Sequence, residues 1–246
     1  MSPADGTPIL AAAGLRKRFG ALVVLDDVDF AVRAGESIGI VGPNGAGKTT
    51  LLNVLAGALP PLAGHIRFED VDVTRLAASA RCRRGIARAH QVPRPFGDMT
   101  VFENVFVAAT AGGRHTRAAA YERCVESLEL CDMLDTANRP AEALGLLDRK
   151  RLELARALVT EPKVLLLDEI AAGLTDAECV SLIEAIQSVR AQGIAIVWIE
   201  HIVHVLVQFV ERLVCMNEGR VIAEGTPEAV MADAVVIDAY LGSSIA

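Results

Sequence analysis

The sequence predicts an α/β fold: a core built on a mostly parallel sheet, an N-terminal antiparallel β region ahead of it, and a helical subdomain inserted into the core. Three observations predict it. Short apolar runs, such as Ile38-Gly39-Ile40-Val41, Val164-Leu165-Leu166-Leu167 and Ile194-Ala195-Ile196-Val197-Trp198-Ile199, have the character of strands buried on both faces. The first of them runs into a glycine-rich loop and then into a helix-like segment, Thr50 to Gly57. Between Pro93 and about Leu144 the pattern turns helical, and core-like strands resume afterwards.

Taken in order, Ile9-Leu10-Ala11-Ala12 and Val23 to Val32 read as the antiparallel region, the latter broken by Asp26-Asp27 and closed by Ala34-Gly35. Glu36 to Val41 is the first core strand. Pro60-Pro61-Leu62-Ala63-Gly64 marks a turn, His65 to Phe68 a short strand, Leu76 to Arg84 a short helix, and Gly85 to Gln91 a core strand running into a loop. Thr100-Val101-Phe102-Glu103 is a capping box, so a helix should start there with Val105, Phe106 and Ala109 inward. A second helix is expected over Arg117 to Leu130, with Tyr121, Cys124, Val125 and Leu128 on one face. The core returns with a helix over Leu152 to Thr160, the strand Lys163 to Leu167, a helix over Ala177 to Gln192 and the strand ending at Ile199. Strand pairs near Leu213–Met216 and Val221–Ala223 close it. Residues 1–246 are thus expected to form one domain, with the core in 1–92 and 151–246 and the helical subdomain in 93–150.

The glycine-rich loop carries the chemistry. Gly42-Pro43-Asn44-Gly45-Ala46-Gly47-Lys48-Thr49-Thr50 is a complete GxxxxGK[ST] phosphate loop, set between strand and helix as its function requires. Its glycines let backbone N–H groups turn inward around phosphates, Lys48 can reach the β and γ phosphates, and the Thr49 hydroxyl can ligate Mg²⁺. The helix N-terminus adds the positive end of its dipole. The core is therefore expected to be a P-loop NTPase.

Composition bounds the function. With 246 residues the chain can bury a sizeable core, and 52% hydrophobic content comes with no run long enough to span a bilayer. The opening residues lack a basic region followed by an apolar stretch, so a cytoplasmic protein is the default expectation. A net charge of −7 argues against a duplex-binding surface, and no nucleic acid partner is expected. The basic run Arg81-Cys82-Arg83-Arg84 with Arg88 reads as a solvated helix face. Five cysteines, none in a CxxC, support neither a disulfide framework nor zinc.

A second nucleotide signal follows the run Val164 to Leu167. Asp168-Glu169 ends a strand at the carboxyl edge of the sheet, where open α/β sheets bind ligands. Asp168 can hold Mg²⁺ through its water shell, and Glu169 can polarise the water that attacks the γ-phosphate. No guanine-reading NKxD occurs, which disfavours a GTPase.

With these motifs in order, the chain resembles an ATP-binding-cassette (ABC) ATPase over nearly its whole length. The resemblance implies ATP and Mg²⁺ as cofactors and further roles by position. Phe19 would stack on adenine, and Gln91 would be the Q-loop glutamine that contacts Mg²⁺ and the attacking water. Ala172-Gly173-Leu174-Thr175 would be the D-loop, and His201 the switch histidine on the γ-phosphate. Three stretches look like the ATPases of branched-chain amino-acid (Liv-type) importers: Gln91 to Val105, Ile199-Glu200-His201, and Ala223 to Pro227 with Ala239-Tyr240-Leu241-Gly242. Such importers pair two ATPases under transmembrane permease subunits fed by a periplasmic binding protein. The resemblance therefore implies uptake of branched-chain amino acids or related small polar solutes, with the chain on the inner face of the membrane. Arg94, Pro95 and Phe96 would meet the permease. A regulatory or clamp-type cassette with weak or no hydrolysis is the alternative.

One stretch departs from the family. Where the signature LSGGQ belongs, the chain has Leu144-Gly145-Leu146-Leu147-Asp148. Gly145 replaces the serine and Leu146-Leu147 replace the glycines that act in trans on the opposite protomer's γ-phosphate. Loss of comparable donors costs roughly 10²–10³ in rate. The expectation is a heterodimer with a second ABC ATPase subunit, holding one strong and one weak site.

Overall fold

The structure is a computed structural model that describes residues 7–112, 116–200 and 203–242. Residues 1–78 with 195–246 cluster as one unit and 79–194 as another.

The first unit opens with β1 (Leu10–Phe19) and β2 (Leu22–Val32), followed by β3 (Ser37–Val41), α1 (Lys48–Leu55), β4 (Ala63–Phe68) and β5 (Val71–Asp72). An antiparallel sheet of order β2-β1-β4-β5 forms from them, with Leu10, Val28, Phe30, Ile66 and Phe68 on its buried face. β1 runs seven residues past the Ala12 end expected from the apolar pattern. Its second half is the charged stretch Arg16-Lys17-Arg18, held extended by pairing to β2 through bulges. Arg16 also reaches Asp26 and Asp27 at 3.7 Å.

The second unit holds α2 (Ala78–Cys82), β6 (Ile86–Ala89), α3 (Val101–Gly112), α4 (Arg117–Leu130), α5 (Leu146–Leu158), β7 (Val164–Asp168) and α6 (Asp176–Ala191). β6 and β7 pair in parallel, Ile86 opposite Val164 through Ala89 opposite Leu167. The capping box at Thr100 and Glu103 forms on both sides, and α4 begins behind a Thr116 cap. Another box, Thr175 with Glu178, starts α6. Cys124 and Leu128 are buried as the α4 face requires, whereas Tyr121 is exposed and tilts onto Phe102 at 4.9 Å. The expected solvated basic face is corrected at Arg81, which is fully buried.

The chain then returns to the first unit with β8 (Ala195–Ile199), α7 (Val203–Phe209), β9 (Arg212–Asn217), β10 (Arg220–Gly225), α8 (Pro227–Met231) and α9 (Ala234–Gly242). β3 lies between β8 and β9, parallel to both, and β10 adds antiparallel at the edge. Every residue of β3 and β8 is buried, which is why these strands read as continuous apolar runs. Trp198 closes this core edge-on against Phe209 at 5.3 Å.

Candidate nucleotide site

In the first unit, β3 delivers the chain into the phosphate loop. Two glycines are obligatory there. A Cβ on Gly42, at φ 140°, would stand 2.0 Å from the Met216 carbonyl oxygen. One on Gly47, at φ 101°, would stand 2.6 Å from the Val24 carbonyl oxygen. The turn between β9 and β10 stitches the loop down: Gly219 N–H donates to the Ala46 carbonyl at 3.0 Å, and its own carbonyl accepts from Asp26 N–H at 2.9 Å.

Gly47 is the N-cap of α1 and, having no side chain, makes no side-chain cap hydrogen bond. Lys48 is buried, and its Nζ donates to the carbonyls of Gly42 at 2.6 Å and Pro43 at 3.0 Å. Asn44, Gly45 and Thr49 line the exposed rim, with Pro43 and Thr50 half-buried. The Lys48 ammonium thus sits at the start of α1, beside the positive end of its dipole, a pairing suited to an anion. Phe19 ends β1 with its ring half exposed, 5.4 Å from Lys17 Nζ. His201 lies outside the described residues. Glu200 before it is buried and accepts from Trp198 Nε1 at 3.3 Å.

In the second unit, the end of β7 gathers Gln91, Asp168 and Glu169. Asp168 is 1% exposed, and its Oδ2 accepts from Arg88 at 2.6 Å. Glu169 sits at φ 47°, in the left-handed region, and its Oε2 accepts from Gln91 Nε2 at 2.5 Å. Buried Lys150 donates from Nζ to the carbonyl of Gln91 at 3.1 Å and reaches that of Glu169 at 3.5 Å. Sequence reasoning placed Arg88 on a solvated helix face, which its place in β6 and its ion pair with Asp168 correct, and it passed over Lys150. Arg88, set among Ile86, Ala87 and Ala89 of a core strand, was the available signal, because a cation there needs an acid partner.

The signature stretch begins a helix six residues earlier than the expected Leu152. Gly145 is the N-cap of α5, at φ −68° and ψ 175°, with no side-chain cap, and Leu146, Leu147 and Asp148 form the first turn. Leu146 lies 3.3 Å from where a Cβ on Gly173 would stand. Arg149 Nε donates to the Leu144 carbonyl at 2.9 Å. Phe96 is 47% exposed, with the Arg156 guanidinium 5.5 Å from its ring centroid.

A phosphate loop of this geometry on a mixed α/β core defines a P-loop NTPase. The chain belongs to the ABC transporter family: the family model described as ABC transporter matches residues 25–172, and that described as branched-chain amino acid ATP-binding cassette transporter matches residues 220–246. It is 36% identical to the high-affinity branched-chain amino acid transport ATP-binding protein LivG of Escherichia coli (strain K12), over 96% of this chain and 99% of that protein. Identity to the corresponding protein BraF of Pseudomonas aeruginosa is 34%, over the same shares. Among solved structures, the ADP conformation of an ATP-binding cassette of an ABC transporter superposes with a TM-score of 0.87 at 30% identity, covering 96% of this chain and 100% of that one.

Proposed function

We propose that this chain is the ATP-hydrolysing subunit of an ABC importer that powers uptake of branched-chain amino acids or related small polar solutes. The phosphate loop supports the reading, since buried Lys48 and the N-terminus of α1 stand together there and both favour an anion. The importer class draws its support from the relatives' names and from the match over residues 220–246.

In this reading Phe19 stacks on adenine, and Gly42 to Thr50 wrap the phosphates. Thr49, Gln91 and Asp168 serve Mg²⁺; all three offer oxygen donors, the set that hard cation prefers. Bound Mg²⁺ would neutralise charge on the β and γ phosphates. Glu169, whose Oε2 accepts from Gln91 Nε2 at 2.5 Å, would orient the attacking water. His201 would sense the γ-phosphate. Among the described residues no helix is long and apolar enough to cross a membrane, so attachment to the inner face would run through permease subunits. A periplasmic binding protein would supply the solute.

Gly145, Leu146, Leu147 and Asp148 would act on the partner's nucleotide. With no serine hydroxyl and an acid in the first turn of α5, they give a γ-phosphate a poorer reception than LSGGQ, which favours a second, different cassette as partner. Size exclusion of Glu169→Gln protein saturated with ATP and Mg²⁺ tests this. A monomer that binds ATP supports the heterodimer; a shift to dimer refutes it and makes a homodimeric transporter ATPase the reading; failure to bind ATP refutes the cassette function.

A further inference from the structure

The C-terminal helix α9 reaches the nucleotide loop through one side chain. Gly42 leaves the sheet where the ladder between β3 and β9 ends at Val41 opposite Cys215, so its buried N–H needs a partner outside the ladder. Tyr240 supplies it: Gly42 N–H donates to the phenol oxygen at 2.8 Å. The carbonyl of the same glycine accepts from Lys48 Nζ at 2.6 Å. Both peptide groups flanking Gly42 are thus held by hydrogen bonds, one to Tyr240 of the tail and one from Lys48.

Glycine makes that control necessary. With no side chain, Gly42 has wide freedom in φ and ψ, and the Met216 carbonyl excludes any residue that would restrict it. Its conformation at φ 140° must be imposed from outside. The helix that carries Tyr240 is itself anchored: Val236 is buried, Val235 N–H donates to Asp233 Oδ1 at 2.8 Å, and α8 before it is capped by Thr226 with Val230 buried beneath. Burial raises the phenol's pKa, which keeps it protonated well above neutral pH.

We propose that Tyr240 is a positioning residue for nucleotide binding: its hydroxyl fixes the Gly42 peptide so that the phosphate loop and Lys48 are preset for the triphosphate, making α9 part of the site. This rests on the reading of the loop as the ATP receptor and gives the residues around Tyr240, which carry no phosphate motif of their own, a role in affinity. Tyr240→Phe removes one hydrogen bond and keeps the ring.

The test is calorimetric titration of the full chain with ATP and with ADP in Mg²⁺, alongside thermal melting and amide exchange at Gly42. Expected are a 3- to 10-fold weaker Kd for both nucleotides, the span of one net hydrogen bond, and faster exchange at Gly42. A lowered Tm with unchanged Kd would make Tyr240 merely structural and overturn the proposal. So would unchanged exchange at Gly42. If wild-type protein fails to bind ATP, it is the nucleotide reading itself that falls.

Discussion

Lys150→Met asks whether a buried ammonium organises the end of β7. Lys150 is 3% exposed, and methionine fills nearly the same space, so packing changes little while the ammonium is lost. The bond to the Gln91 carbonyl at 3.1 Å is a charge-assisted one, worth about 1.5–3 kcal/mol net, and the 3.5 Å approach to Glu169 adds little. Relief of the desolvated charge offsets part of this, which leaves a cost of about 2 kcal/mol. For a chain of this size that lowers Tm by about 4–8 °C. The larger consequence is on chemistry. Without Lys150, the backbone of Gln91 and Glu169 loses a shared anchor, and a displacement near 1 Å of the carboxylate proposed to orient the attacking water would cost on the order of 100-fold. Phosphate release at saturating ATP should therefore fall about 10- to 100-fold with nucleotide Kd unchanged. A variant that melts lower yet turns over normally would refute the reasoning and leave Lys150 as a core residue only.

Gly145→Ser enters open space at an allowed backbone conformation, so its hydroxyl can cap α5 and Tm should rise by about 1 °C. ATP-driven pairing with another cassette should strengthen as well; a raised Tm with no change in pairing, read by sedimentation, would show that this turn does not meet a γ-phosphate. The thiols supply a pH-dependent check. Burial pushes Cys131 up to about 12 and Cys215 up to about 11 from an ordinary 9.0, and Cys124 and Cys179 are also buried. A disulfide reagent at pH 8 should modify Cys82 quickly and the other four only on unfolding. Because the folded thiols hold their protons where unfolded ones ionise, stability should fall as pH rises above about 9.

The strands and helices whose partners are local or wholly apolar could be read in advance. Helix α4 begins and ends where its Thr116 cap and its apolar spacing place it, and β7 and β8 are apolar because both their faces are covered. Elements held by distant partners could not. The charged half of β1 is strand only because β2 pairs with it and Asp26 and Asp27 meet Arg16. The start of α5 lies ahead of the helix expected from Leu152, although Leu146 to Arg151 has ordinary helix-forming residues. Within the site, Lys48, Gln91, Asp168 and Glu169 announce themselves by motif, while Arg88, Lys150 and Tyr240 act through backbone atoms or a carboxylate far along the chain. Spacing carries no trace of such contacts.

The left-handed backbone at Glu169 has an implication for how the chain could be changed. A glutamate held at φ 47° costs of order 1 kcal/mol that glycine would not, and asparagine would incur less. Any search that rewards heat resistance alone will drift toward those residues at position 169, and each step would trade the carboxylate away. Thermostable descendants of this protein should thus be screened for turnover at that residue first, since the easiest gain in robustness available there also removes the carboxylate proposed to orient the attacking water.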